Sequence, residues 1–200
     1  MPTNPYYRQP KEGDPNAAGL HNKCFAFAPF NAMRRVGILP DYFQTNPTSD
    51  ENENVLRFIR DNFNATAGGG GNRAIFREFE KYPDLKGKIK VLQMTQPSAA
   101  TIMQDFNHNT GVFIGITYLE KNQNHWIYLD QISPFGEHAD KVKLEMIDQQ
   151  NVHVSFCLTV GRTDKIEDKT LECHNANSPD LPVRADVSYK VNYVCYIRNA

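Results

Sequence analysis

The second half of this chain is a succession of short β-patterned runs divided by polar turns, and that order restricts the fold more than any other feature. Residues 111–118 (GVFIGITY) are β-branched and aromatic, as a buried strand should be. A polar turn at 120–124 leads into HWIYLDQI (125–132). KVKLEMI (141–147) alternates with period two, and 152–160 and 189–198 read as further strands. Residues 161–186 are polar and read as loop, while Ile89–Met94 reads as an isolated earlier strand. Helical spacing dominates the first half instead. Phe25, Ala28, Ala32, Met33 and Val36 share a helix face across 24–36, with Gly37 as the stop and Pro29 as a local conflict. Val55, Leu56, Phe58, Ile59 and Phe63 mark a second helix, capped by Ser49 or Asp50. Residues 74–79 read as a short helix, and Ser98 starts another through Ile102, Met103 and Phe106. Helices first and mostly antiparallel strands after them imply an α+β fold, with N-terminal helices packed on the sheet. A length of 200 residues suits one domain, read as 19–200, behind an irregular, proline-punctuated arm at 1–18.

Composition narrows the function classes. A formal net charge of -1 gives no bulk reason to expect nucleic acid or an anionic membrane as partner. The longest apolar stretch, 111–118, falls far short of a membrane span, and the N-terminus lacks the apolar core of a secretory signal. The four cysteines, Cys24, Cys157, Cys173 and Cys195, are too dispersed for a disulfide framework and form no CxxC pair. A reducing compartment follows: cytoplasmic, or the cytosol of a target cell reached without a cleavable signal peptide. The histidines show no paired ligand spacing, so neither a metal nor another cofactor is implied. The glycine run at 68–71 lacks the Lys-Ser/Thr and the preceding strand of a phosphate-binding loop, and reads as a flexible loop.

One cysteine stands where its chemistry would be favoured. A thiol attacks an amide well only as thiolate, and a helix N-terminus and a neighbouring imidazolium both stabilise that anion. Polar residues 19–23 precede Cys24 and a helical pattern follows it. His125 opens a strand after a polar turn, so its ring can stand at a strand mouth as the base. Asp148, at the end of the next strand, can accept a hydrogen bond from that ring and orient it. Asp130 and Asp140 are the alternative orienters; parity puts Asp130 on the opposite strand face, and Asp140 sits in a loop that can fold back. Asn22, with the backbone N–H of Cys24, is the candidate oxyanion donor, or else a helix cap. Singly, a cysteine in an apolar helix is usually a small buried residue, and a histidine beside tryptophan is usually packing. The joint pattern is what carries the catalytic interpretation.

The same segments resemble known families of papain-like cysteine peptidases. GLHNKCFAFAPFNAMRRVGILPDYF (19–43) is similar to the cysteine box of ubiquitin-specific proteases, NHWIYL (124–129) to their histidine segment, and KLEMIDQQNV (143–152) to the segment holding the acidic residue. NYVCYIR (192–198) resembles their closing strand. The helix followed by GVFIGITY and HWIYLDQI also resembles bacteriocin-processing peptidases, and His-Trp-Ile with a strand ending Ile-Asp-x-Gln resembles effector glutamine deamidases and papain-fold toxins. These resemblances imply a papain-like fold and a Cys24–His125–Asp148 triad that cleaves an amide or isopeptide bond in a protein or peptide substrate. A glutamine deamidase or amidase toxin with the same triad, and a non-catalytic binding module on the same fold, are the alternatives.

Overall fold

The computed structural model describes residues 7–10, 23–38, 51–62, 80, 85–106, 109–149, 154–175, 178–182 and 188–200. Among them run helix α1 (Cys24–Arg35), helix α2 (Glu51–Asn62), strand β1 (Ile89–Met94), helix α3 (Ala99–Asp105) and strands β2 (Thr110–Tyr118), β3 (Gln123–Phe135), β4 (His138–Ile147), β5 (Val154–Gly161), β6 (Thr170–Asn175), β7 (Ser178–Pro182) and β8 (Tyr189–Asn199). The molecule is α+β. The strands form one antiparallel sheet of eight in the order β1-β8-β2-β3-β4-β5-β6-β7. A further pairing, Leu171 with Tyr189 and Thr170 with Lys190, joins β6 to β8. The path β8-β2-β3-β4-β5-β6-β8 therefore closes on itself, a barrel that leaves no open edge where it is joined.

Two apolar cores result, one on each side of that sheet. Inside the barrel lie Val112, Ile114, Ile116, Ile127, Leu129, Val142, Leu144, Met146, Phe156 and Leu158, with Ala99 and Ile102 of α3 packed among them. Their spacing of two is the alternation that a curved sheet with one face inward demands. Outside lie Phe113, Trp126, Tyr128, Cys195 and Ile197, and these meet Phe25, Phe27, Phe30 and Met33 of α1 and Val55, Phe58 and Ile59 of α2. Two bulges adjust the alternation. The β2–β8 register shifts so that Asn192 is the extra residue, which lets Val191 and Val194 both face inward. The β3–β4 register shifts at Asp130 in the same way.

Helix α1 begins at Cys24, runs on through Pro29 and stops where expected. Gly37 adopts φ +71, and Ile38 N–H donates to Met33 O while Gly37 N–H donates to Arg34 O, a Schellman closure. Ser98 caps α3, its hydroxyl accepting from Thr101 N–H at 3.1 Å. Helix α1 reaches β2 at a glycine: a Cβ on Gly111 would stand 2.2 Å from the carbonyl oxygen of Ala32.

Three sequence expectations change. The polar stretch 161–186 contains β6 and β7 rather than loop alone. In β6 only Leu171 and Cys173 join the core, so the alternation of TLECHN was too thin to register as a strand. Strands β3 and β4 extend past their apolar segments into a hairpin whose residues 135–141 are exposed, so no burial pattern marked its tip. Residues 7–10 are irregular, as expected of the arm, but Tyr7, Gln9 and Pro10 are buried. Asn31 of α1 holds them: its Oδ1 accepts from Tyr7 N–H at 2.8 Å and its Nδ2 donates to Tyr7 O at 3.1 Å. The expected helix at 74–79, the glycine run at 68–71 and the caps Ser49 and Asp50 lie outside the described residues.

Candidate active site

Cys24 is the first residue of α1 and is 6% exposed. Two N–H groups of that first turn, those of Ala26 and Phe27, donate to Lys23 O, and the Lys23 side chain provides no cap. Lys23 itself is buried, its ammonium 5.4 Å from the centre of the Phe25 ring, and burial pushes it below the usual lysine value.

His125 sits close to the start of β3, paired with Ile116 of β2. Its neighbour Trp126 fixes that end of the strand against the outer core, stacking on Tyr193 at 6.2 Å and tilting on Phe113 at 5.6 Å. Room for the indole comes from Gly115, directly opposite, where a Cβ would lie 3.0 Å from the ring. Asp148 follows the last residue of β4, the strand paired with β3. The sheet thus delivers the imidazole and the carboxylate side by side, and the Nε2–H of His125 donates to Asp148 Oδ1 at 2.9 Å. The two side chains are 19% and 15% exposed, so the bond is largely shielded from water while the ring keeps some exposure.

The Cys24 side chain lies near enough to the ring to act on its affinity for a proton. Burial works against the charged ring. The Cys24 charge, the Asp148 hydrogen bond and the Asp148 charge outweigh it, and the imidazolium is pushed up to about 10. Nε2 is engaged by Asp148, which leaves Nδ1 for a second partner. A helix start, a strand start and a strand end, widely separated in sequence, converge here.

The other aspartates stand elsewhere. Asp130 is the bulge residue of β3, and its carbonyl accepts from the Arg35 guanidinium at 3.2 Å. Asp140 is not in a loop but within β4, exposed toward the hairpin tip, with its carbonyl accepting from Arg162 N–H. Of the three, Asp148 is the one that pairs with His125. Asn22 lies outside the described residues. Cys157, Cys173 and Cys195 are buried and lie in strands β5, β6 and β8. Burial pushes the Cys157 thiol up, despite the opposing charge of Lys143.

Sequence reasoning missed Gln149. It is 1% exposed, and its Nε2 donates to Cys24 O at 3.5 Å and to Trp126 O. Its own carbonyl accepts from Gln9 N–H at 2.9 Å. Glutamine is mostly an exposed residue, so nothing in the string IDQQ marks this one as buried. Among the described residues no group of three or more His, Cys, Asp or Glu is arranged to hold a metal, and no helix is long and apolar enough to cross a membrane. No family model, curated protein or solved structure matches the chain.

Proposed function

We propose that this chain is a papain-like thiol hydrolase that cleaves an amide or isopeptide bond in a protein or peptide substrate. The observation that carries the proposal is the His125 ring, bonded at 2.9 Å to the Asp148 carboxylate and acted on by the nearby Cys24 side chain. Further support comes from the two-part build, with the nucleophile on a helix packed outside a barrel and the base and orienter on adjacent barrel strands.

The chemistry follows from those placements. His125 takes the proton of the Cys24 thiol, and the sulfur that attacks stands at the positive end of α1. The sulfur adds to the substrate carbonyl carbon, and the carbonyl electrons move onto oxygen. The Cys24 N–H, at the first position of the helix, is the backbone donor to that oxyanion. As the tetrahedral species collapses, the carbon–nitrogen bond breaks and His125 gives its proton to the departing amine. A thioester remains. Water, deprotonated by His125, attacks it and releases the acid and Cys24. Asp148 keeps one ring edge toward the sulfur throughout.

Alkylation by iodoacetamide at neutral pH, read residue by residue by mass spectrometry, tests the pair. The four cysteines are 6%, 8%, 7% and 2% exposed in chain order, so exposure does not favour Cys24 over Cys157 or Cys173. Selective labelling of Cys24 must therefore come from thiolate character. Labelling should be at Cys24 well before the others and should slow on His125→Ala. Equal labelling of all four would count against a thiol hydrolase.

A further inference from the structure

A buried amide, that of Gln149, lies between the nucleophile and the base strand, and among the described residues its Oε1 has no hydrogen-bond partner. A glutamine kept under those conditions is an expensive choice of side chain, since a methionine of similar length would bury no orphan oxygen. What the amide accomplishes is visible in its two donor contacts. One reaches the carbonyl of Cys24, the residue that carries the sulfur, and the other the carbonyl of Trp126, the residue after the base. Gln149 also follows Asp148 directly, so the segment that supplies the orienting carboxylate is the segment that supplies the tie.

We propose that Gln149 is the positioning residue of the site, setting the separation between the Cys24 sulfur and the His125 ring by bridging the backbone of α1 to the backbone of β3. The inference rests on the thiol-hydrolase reading. Helix α1 meets the outer face of the barrel through apolar packing, and packed apolar surfaces tolerate small slides. A nucleophile–base pair does not tolerate them, because a misplacement of about 1 Å can cost two orders of magnitude in rate. A two-pronged hydrogen-bond donor that spans the seam removes that freedom. Since both of its N–H groups point at protein carbonyls, Gln149 is not itself a donor to the oxyanion. Its effect passes through Cys24 and His125.

The test is the pH profile of Cys24 alkylation by iodoacetamide in the full chain, for wild type, Gln149→Met and Gln149→Asn. Asparagine keeps the amide but is one methylene too short to reach both carbonyls. In wild type, Cys24 should react at pH 6, where an ordinary thiol hardly does. Both variants should react about tenfold more slowly at pH 6, with the profile displaced toward that of an ordinary thiol by about one pH unit, while circular dichroism stays unchanged. A residue that only supported the fold would lower the melting temperature and leave the profile in place. Variants that fold and retain the wild-type profile overturn the proposal, and so does failure of both to fold, which would make Gln149 structural. If wild-type Cys24 behaves as an ordinary thiol, it is the hydrolase reading that fails, and that outcome is seen before any variant is made.

Discussion

At the residue scale the site depends on which aspartate His125 can reach. Asp148 lies at 2.9 Å from Nε2, whereas Asp140 is near the far end of the same strand. Asp148→Ala should therefore lower turnover by about 10²- to 10⁴-fold, the range that positioned acid–base catalysis contributes, and leave folding intact. Asp140→Ala should change it little. A steady-state comparison of the two variants decides the assignment, and the reverse ranking would give the third role to Asp140. The same bonds imply a pH-dependent contribution to stability. His125 is pushed up to about 10 in the folded protein, above the unfolded value of about 6.5. A raised value means the folded state holds the proton more tightly. The stabilisation is thus complete below about pH 6.5 and fades as pH rises through about 10. Urea denaturation of wild type and His125→Gln at pH 6, 8 and 10.5 should show a stability gap that shrinks steadily; a gap that widens with pH would refute the charged pair. Cys24, His125 and Asp148 could be singled out in the sequence because each stands at the end of a patterned element. Gln149 was not, because its role depends on which carbonyls lie beside it, and spacing along the chain carries no trace of them.

At the scale of elements, the helices were legible wherever a whole apolar face repeats, as in α1, and the strands wherever one face is fully buried, as in β2. What spacing left unread was closure. The β6–β8 pairing that turns the sheet into a barrel involves Thr170, Leu171, Tyr189 and Lys190, and these alternate too weakly to announce a partner far along the chain. Nor is it legible that α1 must approach β2 at backbone distance. That approach sits at Gly111, and any Cβ there meets the Ala32 carbonyl. Flexible side chains can move aside, but here the obstacle is main chain, so Gly111→Ala has to push the helix away from the strand. Overpacking of this kind costs about 1–3 kcal/mol. Thermal and urea unfolding of Gly111→Ala should show that loss, and a variant of undiminished stability would mean that the helix does not approach β2 as closely as described. The same displacement moves Cys24 relative to His125, so alkylation of Cys24 should slow even under conditions where the variant is fully folded.

On the scale of the whole molecule, the outer layer and the barrel are held in place by a piece of chain that looks dispensable. Residues 7–10 have no regular structure, yet Tyr7 is 1% exposed and exchanges hydrogen bonds with Asn31 of α1, while Gln9 N–H donates to Gln149 O beyond β4. The arm therefore spans the seam on which the site lies. Deleting residues 1–10 uncovers the Tyr7 pocket, worth about 1.5–3 kcal/mol for a large buried side chain. It also strips Asn31 of two partners at a buried position, which adds about 1–3 kcal/mol. For a protein of this size the sum corresponds to a fall in melting temperature of about 10 °C. The assignment to Asn31 is separable by a double-mutant cycle. In the full chain, Asn31→Leu leaves the Tyr7 N–H and C=O buried without the amide that meets them, and it should destabilise strongly. In the shortened chain those groups are gone, and the same substitution replaces an amide left with Phe27 O as its partner by an apolar group of similar size. Its cost should there fall close to zero or change sign. Equal costs in the two backgrounds would show that Asn31 and the arm act independently. The shortened chain should also alkylate Cys24 more slowly at neutral pH, because the loss of the Gln9 contact loosens the segment that carries both Asp148 and Gln149.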